Sequence, residues 1–335
     1  MNKFITREIY LEKIKSFIGK ELIKVITGQR RVGKSYLIYQ VIEEIKKIDP
    51  NAQIIYINRE LYEFSGINSH EELYSFVKSN YNKKHNNYLF IDEIQTISNF
   101  EYAIRSLLAE GCFDIYITGS NADLLSGDLA THLGGRYIEI TVYPLDFKEF
   151  LLFHELKADN NSLNKYLRIG GLPYLKNLPM DEEVMFEYLM NIYQSILYRD
   201  VISRFELRNV SFLNKLISYL AANTGTLFSA RNINNYLKSQ KIAISVPVII
   251  SYLDFLNKAF FTIKVNRSDI QGKRIFEIGE KHYFNDIGIR NAIVGFNPAD
   301  LGLIMENIVF NHLNTRGYKI YTGKSGEKEI DFVAL

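Results

Sequence analysis

Two periods of apolar residues alternate along the first half of the chain. Short runs rich in Ile, Tyr and Val are separated by segments in which apolar side chains recur every three or four positions. Continuous apolar runs are typical of strands buried on both faces, and the longer period is typical of covering helices. The pattern predicts one doubly wound α/β fold with a parallel sheet and right-handed crossovers. The predicted strands are residues 22–27, 53–58, 88–92, 114–119 and 137–142, and the predicted helices are residues 34–47, 71–79, 100–110 and 122–131.

The second half of the chain is predominantly helical by the same criterion. Three helical stretches followed by two β-like runs give the element order of a winged helix. The predicted elements are a helical region at 145–207 broken at 169–173, three helices between 210 and 259, a hairpin of 260–265 with 274–278, and a helical tail from 285 to 313.

Composition narrows the class of protein. The 335 residues exceed the usual size of one hydrophobic core, so several domains are expected. The net charge of +2 is too small for the protein as a whole to attract nucleic acid, so any nucleic-acid contact must come from a local basic patch. One cysteine, Cys112, excludes an internal disulfide. With no signal-peptide core and no apolar run of about 18 residues, we expect a cytoplasmic protein without a membrane partner.

The sequence GQRRVGKS at residues 28–35 fits the phosphate-binding pattern G-x-x-x-x-G-K-[ST] between a predicted strand and a predicted helix. Its glycines allow backbone N–H groups to point at phosphates, and the helix N-terminus adds a positive dipole end. Lys34 is expected to reach the β- and γ-phosphates, and the Ser35 hydroxyl to bind Mg²⁺. The predicted cofactors are ATP and Mg²⁺, and the predicted contacts are Gly28, Gln29, Arg30, Arg31, Val32, Gly33, Lys34, Ser35 and Tyr36.

A second acidic motif follows at the end of the third predicted strand. In YLFIDEIQ, Asp92 and Glu93 come directly after four apolar residues. Because parallel strands end at the ligand-binding edge of the sheet, both carboxylates are expected near the phosphates. Asp92 is predicted to hold Mg²⁺, and Glu93 to accept the proton of an attacking water. The pair favours a hydrolase over a kinase.

Two further positions are candidates for the γ-phosphate. Ser120 or Asn121, in TGSNADLL, would position the lytic water or report the γ-phosphate, with helix N-capping as the alternative. Arg136, in LGGRYIEI, would stabilise phosphate charge from a neighbouring subunit of a homo-oligomer, with a surface arginine as the alternative. The predicted catalytic residues are Glu93, Lys34, Ser120 and Arg136.

The motifs together resemble a large family of prokaryotic AAA+-type ATPases related to archaeal ATPases. The resemblance rests on TGQRRVGKS, FIDEIQ, ITGSNADLLS, GGRYIEITVYPLDFKEFL, GGLPYL and the C-terminal stretch from KHYFNDIGIRNAIVG to EIDFVAL, in the same order. It implies an ASCE P-loop core with strand order 5-1-4-3-2, and by position Lys34 matches Walker A and Asp92 and Glu93 match Walker B. Ser120 then falls at the sensor position. The implied domains are a core at 1–145, a helical lid at 146–207, a winged helix at 208–284 and a partial restriction-endonuclease-like domain at 285–335.

The last of these domains departs from its family pattern. Such domains assemble one metal site from a helix glutamate, a strand aspartate and a later E-x-K or Q-x-K. Glu306 and Asp331 resemble the first two, but the sequence ends at Leu335 before a lysine-bearing strand. Nuclease activity is therefore not expected. We interpret both carboxylates as surface groups that cap local structure and are solvated.

The predicted winged helix has basic residues on either side of its third helix, but the third helix itself lacks the side chains that usually recognise DNA bases. Its third helix, SVPVIISYLDFLNKA, is mostly apolar, whereas base-reading helices carry Arg, Asn or Gln in their first turns. Non-specific contact with duplex DNA is one interpretation, and protein packing or nucleotide-linked motion is the other. The candidate DNA contacts are Lys238, Lys241, Arg267, Lys273 and Arg274.

Three functions therefore compete. The first is an ATPase that couples hydrolysis to a conformational change, with DNA as a candidate substrate. The second is a nucleotide-gated switch with slow turnover, and the third is a DNA-binding regulator with a vestigial nucleotide site. The intact Asp92–Glu93 pair and Arg136 favour the first.

Overall fold

The chain folds into two units, and the boundary between them passes through the glycine-rich loop. The structure, a computed structural model, describes residues 4–122, 133–239, 242–269, 279–325 and 328–335. The first unit comprises Met1–Gly28 and Val32–Val142, and the second comprises Gln29–Arg31 and Tyr143–Leu335. Three residues of the loop thus belong, by their contacts, to the second unit.

The first unit is built on one sheet of five parallel strands. Its strands are β1 (Ile23–Thr27), β2 (Gln53–Asn58), β3 (Asn87–Asp92), β4 (Phe113–Gly119) and β5 (Tyr137–Thr141). They lie in the order β2-β3-β4-β1-β5, and all four neighbouring pairs are parallel. This confirms the predicted α/β class and the order 5-1-4-3-2.

The helices of the first unit cover a sheet in which two interior strands are buried at every position. All residues of β1 and β3 are buried, as continuous apolar runs predict. The helix after β2 begins at a reciprocal capping box of Ser69 and Glu72, which satisfies two N–H groups at its start. The helix predicted at 122–131 lies outside the described residues except for Ala122. The helices are α1 (Glu8–Lys15), α2 (Lys34–Ile48), α3 (His70–Ser79) and α4 (Phe100–Glu110).

The second unit is mainly helical, as predicted. One helix, α7, passes without a break into a π-helical turn at Ile196–Ile202. Ser245 occupies the N-cap position of α10, and a proline follows in the first turn of that helix. The helices are α5 (Phe147–Phe153), α6 (Asn160–Ile169), α7 (Glu182–Ser195), α8 (Val210–Ala222), α9 (Ala230–Ser239), α10 (Val246–Lys258), α11 (Ile287–Val294) and α12 (Leu301–Thr315).

The break at IGGLP is a close crossing of two helix ends inside the second unit. Asp286 caps α11 and also accepts a hydrogen bond from the N–H of Gly171 at 2.8 Å. A Cβ at Gly288 would collide with the carbonyl of Ile169, so only glycine fits there. Burial raises the pKa of Asp286 to about 6, although the backbone N–H groups that it caps favour its ionised form.

A second sheet joins the predicted wing to the C-terminal segment. Its strands are β6 (Thr262–Asp269), β7 (Glu280–Phe284), β8 (Ile320–Ser325) and β9 (Lys328–Ala334), in the order β7-β6-β8-β9. The first strand of the predicted hairpin is confirmed within β6. Its antiparallel partner is β7, which was not predicted, and the predicted strand at 274–278 lies outside the described residues. Because β6 pairs with β8, the predicted boundary at 284/285 falls within one sheet.

Candidate nucleotide site

The glycine-rich loop follows β1 and ends at the first residue of α2. Its backbone enters the left-handed region at Gly28, Arg31 and Gly33, with φ of 138°, 70° and 96°. A Cβ at Gly28 would meet the carbonyl oxygen of Val142. The two motif glycines are therefore required by the backbone path itself, as the pattern predicts.

Lys34 lies at the start of α2 with its ammonium group directed into the loop. Its Nζ donates to the carbonyl of Gly28 at 3.0 Å and lies 3.8 Å from Oε1 of Glu93. The side chain is buried. A buried ammonium beside the loop carbonyl is positioned for the charge of a phosphate group.

Asp92 ends β3 and is bound by neutral hydroxyl groups. The hydroxyls of Ser35 and Thr118 donate to its carboxylate, and the Tyr56 hydroxyl lies 3.4 Å from Oδ2. Burial raises the pKa of Asp92, and the bonds from Ser35 and Thr118 oppose that rise. The structure thus brings together the two residues predicted as Mg²⁺ ligands.

Glu93 follows in a strained backbone conformation, with φ of 58°. Its N–H donates to the Thr118 hydroxyl at 3.0 Å, which fixes the turn. Its Oε2 accepts from Gln95 Nε2 at 2.6 Å and from the Ser120 hydroxyl at 3.3 Å. Ser120, predicted from its position after β4, therefore contacts the predicted base directly. The alternative of helix capping concerns residues outside the described part of the chain.

Arg136 lies at the opposite edge of the sheet from the loop. Its carbonyl accepts from the N–H of Ile23, the first residue of β1, whereas the loop follows the last residue of that strand. Five residues of strand separate the two edges by about 16 Å. Within one chain, the structure does not bring Arg136 to Lys34. Arg136 could therefore contact phosphate only in the nucleotide site of a neighbouring subunit, which is the role proposed from the sequence.

Arg30 is engaged by an acidic residue that the sequence analysis did not identify. Its guanidinium makes two hydrogen bonds with Asp200, Nε to Oδ2 at 2.9 Å and Nη2 to Oδ1 at 3.0 Å. Both residues are buried in the second unit, and Asp200 lies in the π-helical turn. The neighbouring Gln29 accepts from Asn285 at 3.2 Å. π-Helical turns inside α-helices are frequently found at functional sites.

The two C-terminal carboxylates share one buried lysine, a partner that the sequence analysis did not predict. Lys281, buried on β7, lies 3.0 Å from Glu306 Oε1 and 3.2 Å from Asp331 Oδ1. The Tyr283 hydroxyl donates to the same Glu306 oxygen at 2.6 Å. Surface solvation was therefore the wrong interpretation for Glu306, whose side chain is only 19% exposed, although that of Asp331 is 60% exposed.

The candidate DNA contacts are only partly described. Lys238 is exposed at the end of α9, and Arg267 is half-buried on β6. Lys241, Lys273 and Arg274 lie outside the described residues. Their role in DNA binding stays a prediction.

Among the helices of the described ranges, none combines the length and the apolar character that a membrane span requires.

The loop, the sheet order and the acidic pair define a P-loop NTPase fold. Residues 20–151 match the model of an AAA domain family, and residues 160–300 match a domain of unknown function. A solved Walker-type ATPase of Pyrococcus abyssi shares the fold, with a TM-score of 0.59, 17% identity, and coverage of 87% of this chain and 96% of that one.

Two relatives match along almost the whole chain. An uncharacterized protein of Haemophilus influenzae is 36% identical over 338 residues, covering 98% of this chain and 84% of the relative. An uncharacterized protein of Methanocaldococcus jannaschii is 33% identical over 346 residues, covering 99% and 75%. The chain belongs to this family of prokaryotic AAA-domain P-loop ATPases.

Proposed function

We propose that the chain binds ATP with Mg²⁺ at the loop Gly28–Ser35 and hydrolyses its γ-phosphate. The observation that carries this proposal is the convergence of Lys34, Asp92 and Glu93 at the carboxyl edge of the sheet, with Lys34 Nζ 3.8 Å from Glu93 Oε1. A lysine, a hydroxyl-bound carboxylate and a second carboxylate are the groups that phosphoryl transfer to water requires.

The loop and Lys34 would bind the phosphates. The backbone of a glycine-rich turn presents N–H groups to anions, and the N-terminus of α2 adds a favourable dipole. Lys34 would exchange its bond to the Gly28 carbonyl for a bond to the β- or γ-phosphate. That exchange keeps the ammonium hydrogen-bonded both before and after binding.

Ser35 and Asp92 would hold Mg²⁺. Both present oxygen atoms, which this ion prefers, and they already contact each other. Within the described ranges no group of three or more His, Cys, Asp or Glu residues forms a cage for a metal. Two protein oxygens together with substrate phosphates and water fit the usual Mg²⁺ site of a nucleotide enzyme. When bound, the ion would neutralise charge on the β- and γ-phosphate oxygens.

Glu93 would accept the proton of the attacking water. Its carboxylate is held by Gln95 and Ser120 and is 14% exposed. Ser120 would report the γ-phosphate through this contact. A positioned general base contributes about 10² to 10⁴ in rate.

Coupling to a conformational change would begin at Arg30. This residue lies inside the phosphate-binding loop, and its guanidinium is bound by Asp200 on the extension of α7. Any movement of the loop backbone on binding would act on this ion pair. The ion pair does not test the predicted phosphate contact of Arg30, because Asp200 accepts from two of the five guanidinium N–H donors.

The proposal also includes self-association of the chain and binding of duplex DNA. Arg136 would act on the phosphate of a neighbouring subunit, so turnover per chain would rise with protein concentration. Duplex DNA would be bound non-specifically through Lys238, Arg267 and the other predicted basic residues. Arg267→Ala should then weaken DNA binding and flatten its salt dependence, whereas unchanged affinity would contradict DNA contact at this residue.

The test of nucleotide binding is Lys34→Ala, with Lys46→Ala as the matched control. Lys46 lies on the same helix with its side chain 53% exposed. Lys34→Ala should lower Mg²⁺-dependent ATP binding and phosphate release by about 100-fold, since a preorganised charge is removed, and Lys46→Ala should change neither. Equal activity of the two variants would contradict the proposal. Tight binding with negligible phosphate release in the wild type would instead support the nucleotide-gated switch.

A further inference from the structure

Gln95 makes a short contact to the Glu93 carboxylate. Its Nε2 lies 2.6 Å from Glu93 Oε2 and 3.3 Å from the Ser120 hydroxyl oxygen. The orientation of the amide follows from chemistry, because an ionised carboxylate accepts hydrogen bonds and only the NH₂ end can donate one. Gln95 therefore bridges the two residues that flank the predicted position of the attacking water.

The backbone between the two residues is fixed. Residues Ile94–Thr96 form one 3₁₀ turn, which carries the Gln95 side chain back over Glu93. The turn is closed by the N–H and the hydroxyl of Thr96, which donate to the Glu93 carbonyl at 3.2 and 3.0 Å. The left-handed φ of Glu93 is held by the same turn. The contact is thus built by local structure and does not depend on a flexible loop.

The other end of the amide has a distinct environment. Gln95 Oε1 is buried and has no hydrogen-bond partner among the described residues. A buried carbonyl without a donor destabilises the fold, so a glutamine with only a structural role is not expected at this position. Such exceptions in a native fold are commonly explained by a functional role or by an ordered water.

We propose that Gln95 is a positioning residue for Glu93, which fixes the direction in which the carboxylate meets the attacking water. The inference rests on the proposed ATP hydrolysis and deepens it. A reacting group displaced by about 1 Å loses on the order of 100-fold in rate, whereas ground-state binding of phosphate depends on Lys34 and the loop. Loss of Gln95 should therefore affect turnover and leave nucleotide binding unchanged.

The experiment compares Gln95→Leu and Gln95→Glu with the control Gln53→Leu. Gln95→Leu keeps the bulk and removes the donor, and Gln95→Glu keeps the shape but sets a second carboxylate against Glu93. Gln53 lies on β2, where its amide donates to the carbonyl of Asn80. We expect kcat to fall by about 10- to 100-fold in both Gln95 variants, with KM and the Kd for ATP unchanged in Gln95→Leu, and no change in Gln53→Leu.

A double variant separates positioning from general structural damage. In a Glu93→Gln background, Gln95→Leu should produce no further loss of kcat, because the group that it positions is gone. Wild-type kcat in Gln95→Leu, or a loss that persists undiminished beside Glu93→Gln, would overturn the role of Gln95 while leaving ATP hydrolysis intact. A wild-type chain that binds no ATP would overturn the proposed function, and this inference with it.

Discussion

Two pairs of carboxylates in this molecule have the same chemistry and opposite surroundings. Asp92 and Glu93 in the first unit accept hydrogen bonds from neutral donors, among them the hydroxyls of Ser35, Thr118 and Ser120 and the amide of Gln95. The Lys34 ammonium lies 3.8 Å from Glu93. Glu306 and Asp331 in the second unit are bridged by the buried ammonium of Lys281.

The difference shows what each pair is able to do. Neutral donors orient a carboxylate and leave its negative charge available to a cation or a proton. A buried lysine neutralises the charge in place, so that removing the lysine would leave a largely buried carboxylate unpaired. Residue type alone therefore does not mark a catalytic carboxylate, and the partner of each oxygen has to be known.

The largest effect on stability is expected at Asp286, a fully buried carboxylate that accepts hydrogen bonds from backbone N–H groups. Burial raises its pKa from 3.8 to about 6. The folded protein therefore holds this proton more tightly than the unfolded chain. The resulting stability is complete below about pH 4 and is lost as pH rises through 6, by about 3 kcal/mol. Chemical unfolding between pH 4 and pH 7 measures this loss.

The control for that measurement is Asp286→Asn. The variant is expected to be less stable at every pH, because its amide cannot accept from Gly171 as well as from the N–H of Ile289. Its pH dependence between 4 and 6 should nevertheless be flatter than that of the wild type. An equal slope in both proteins would assign the titration to another group.

The next largest effect should come from Lys281→Met. Removing the ammonium leaves the Glu306 carboxylate without a cation in a largely buried place, and we expect a loss of about 2 kcal/mol in the free energy of unfolding. The matched control is Lys264→Met on the neighbouring strand, where the side chain is 43% exposed and pairs with Glu280, so less than about 1 kcal/mol is expected. A stable Lys281→Met protein would remove the contrast between the two pairs.

The smallest effect is expected at Asp331, whose side chain is 60% exposed. Asp331→Asn should cost less than about 1 kcal/mol, because water screens its interaction with Lys281. Urea unfolding beside the wild type measures the difference. A loss as large as that in Lys281→Met would show that both carboxylates share the neutralising role equally.

Local signals explain why the first unit was well predicted. The buried strands, the glycine pattern and the acidic pair can each be recognised within a short stretch of sequence. The structure brings together the residues predicted from them, Lys34, Asp92, Glu93 and Ser120. Gln95 is part of the same IDEIQ stretch, but its contact with Glu93 depends on the turn that follows β3. Its role could not be inferred from spacing alone.

Long-range pairing explains what the sequence did not reveal in the second unit. The segment EKHYF has no apolar alternation, and the partners that pair with its buried Lys281 are 25 and 50 residues away along the chain. It was therefore not predicted as a strand. The pairing of Arg30 with Asp200 spans 170 residues and likewise leaves no local pattern.

The most direct test of the account replaces one glutamate from each pair by glutamine and measures phosphate release from ATP with Mg²⁺. Thermal melts first establish a temperature at which both variants are folded, and ATP binding is measured beside turnover. We expect Glu93→Gln to bind ATP and to lose about 10³-fold in kcat, while Glu306→Gln keeps wild-type turnover. Equal turnover in the two variants would contradict the assignment of Glu93 as the base and the functional contrast between the two carboxylate pairs.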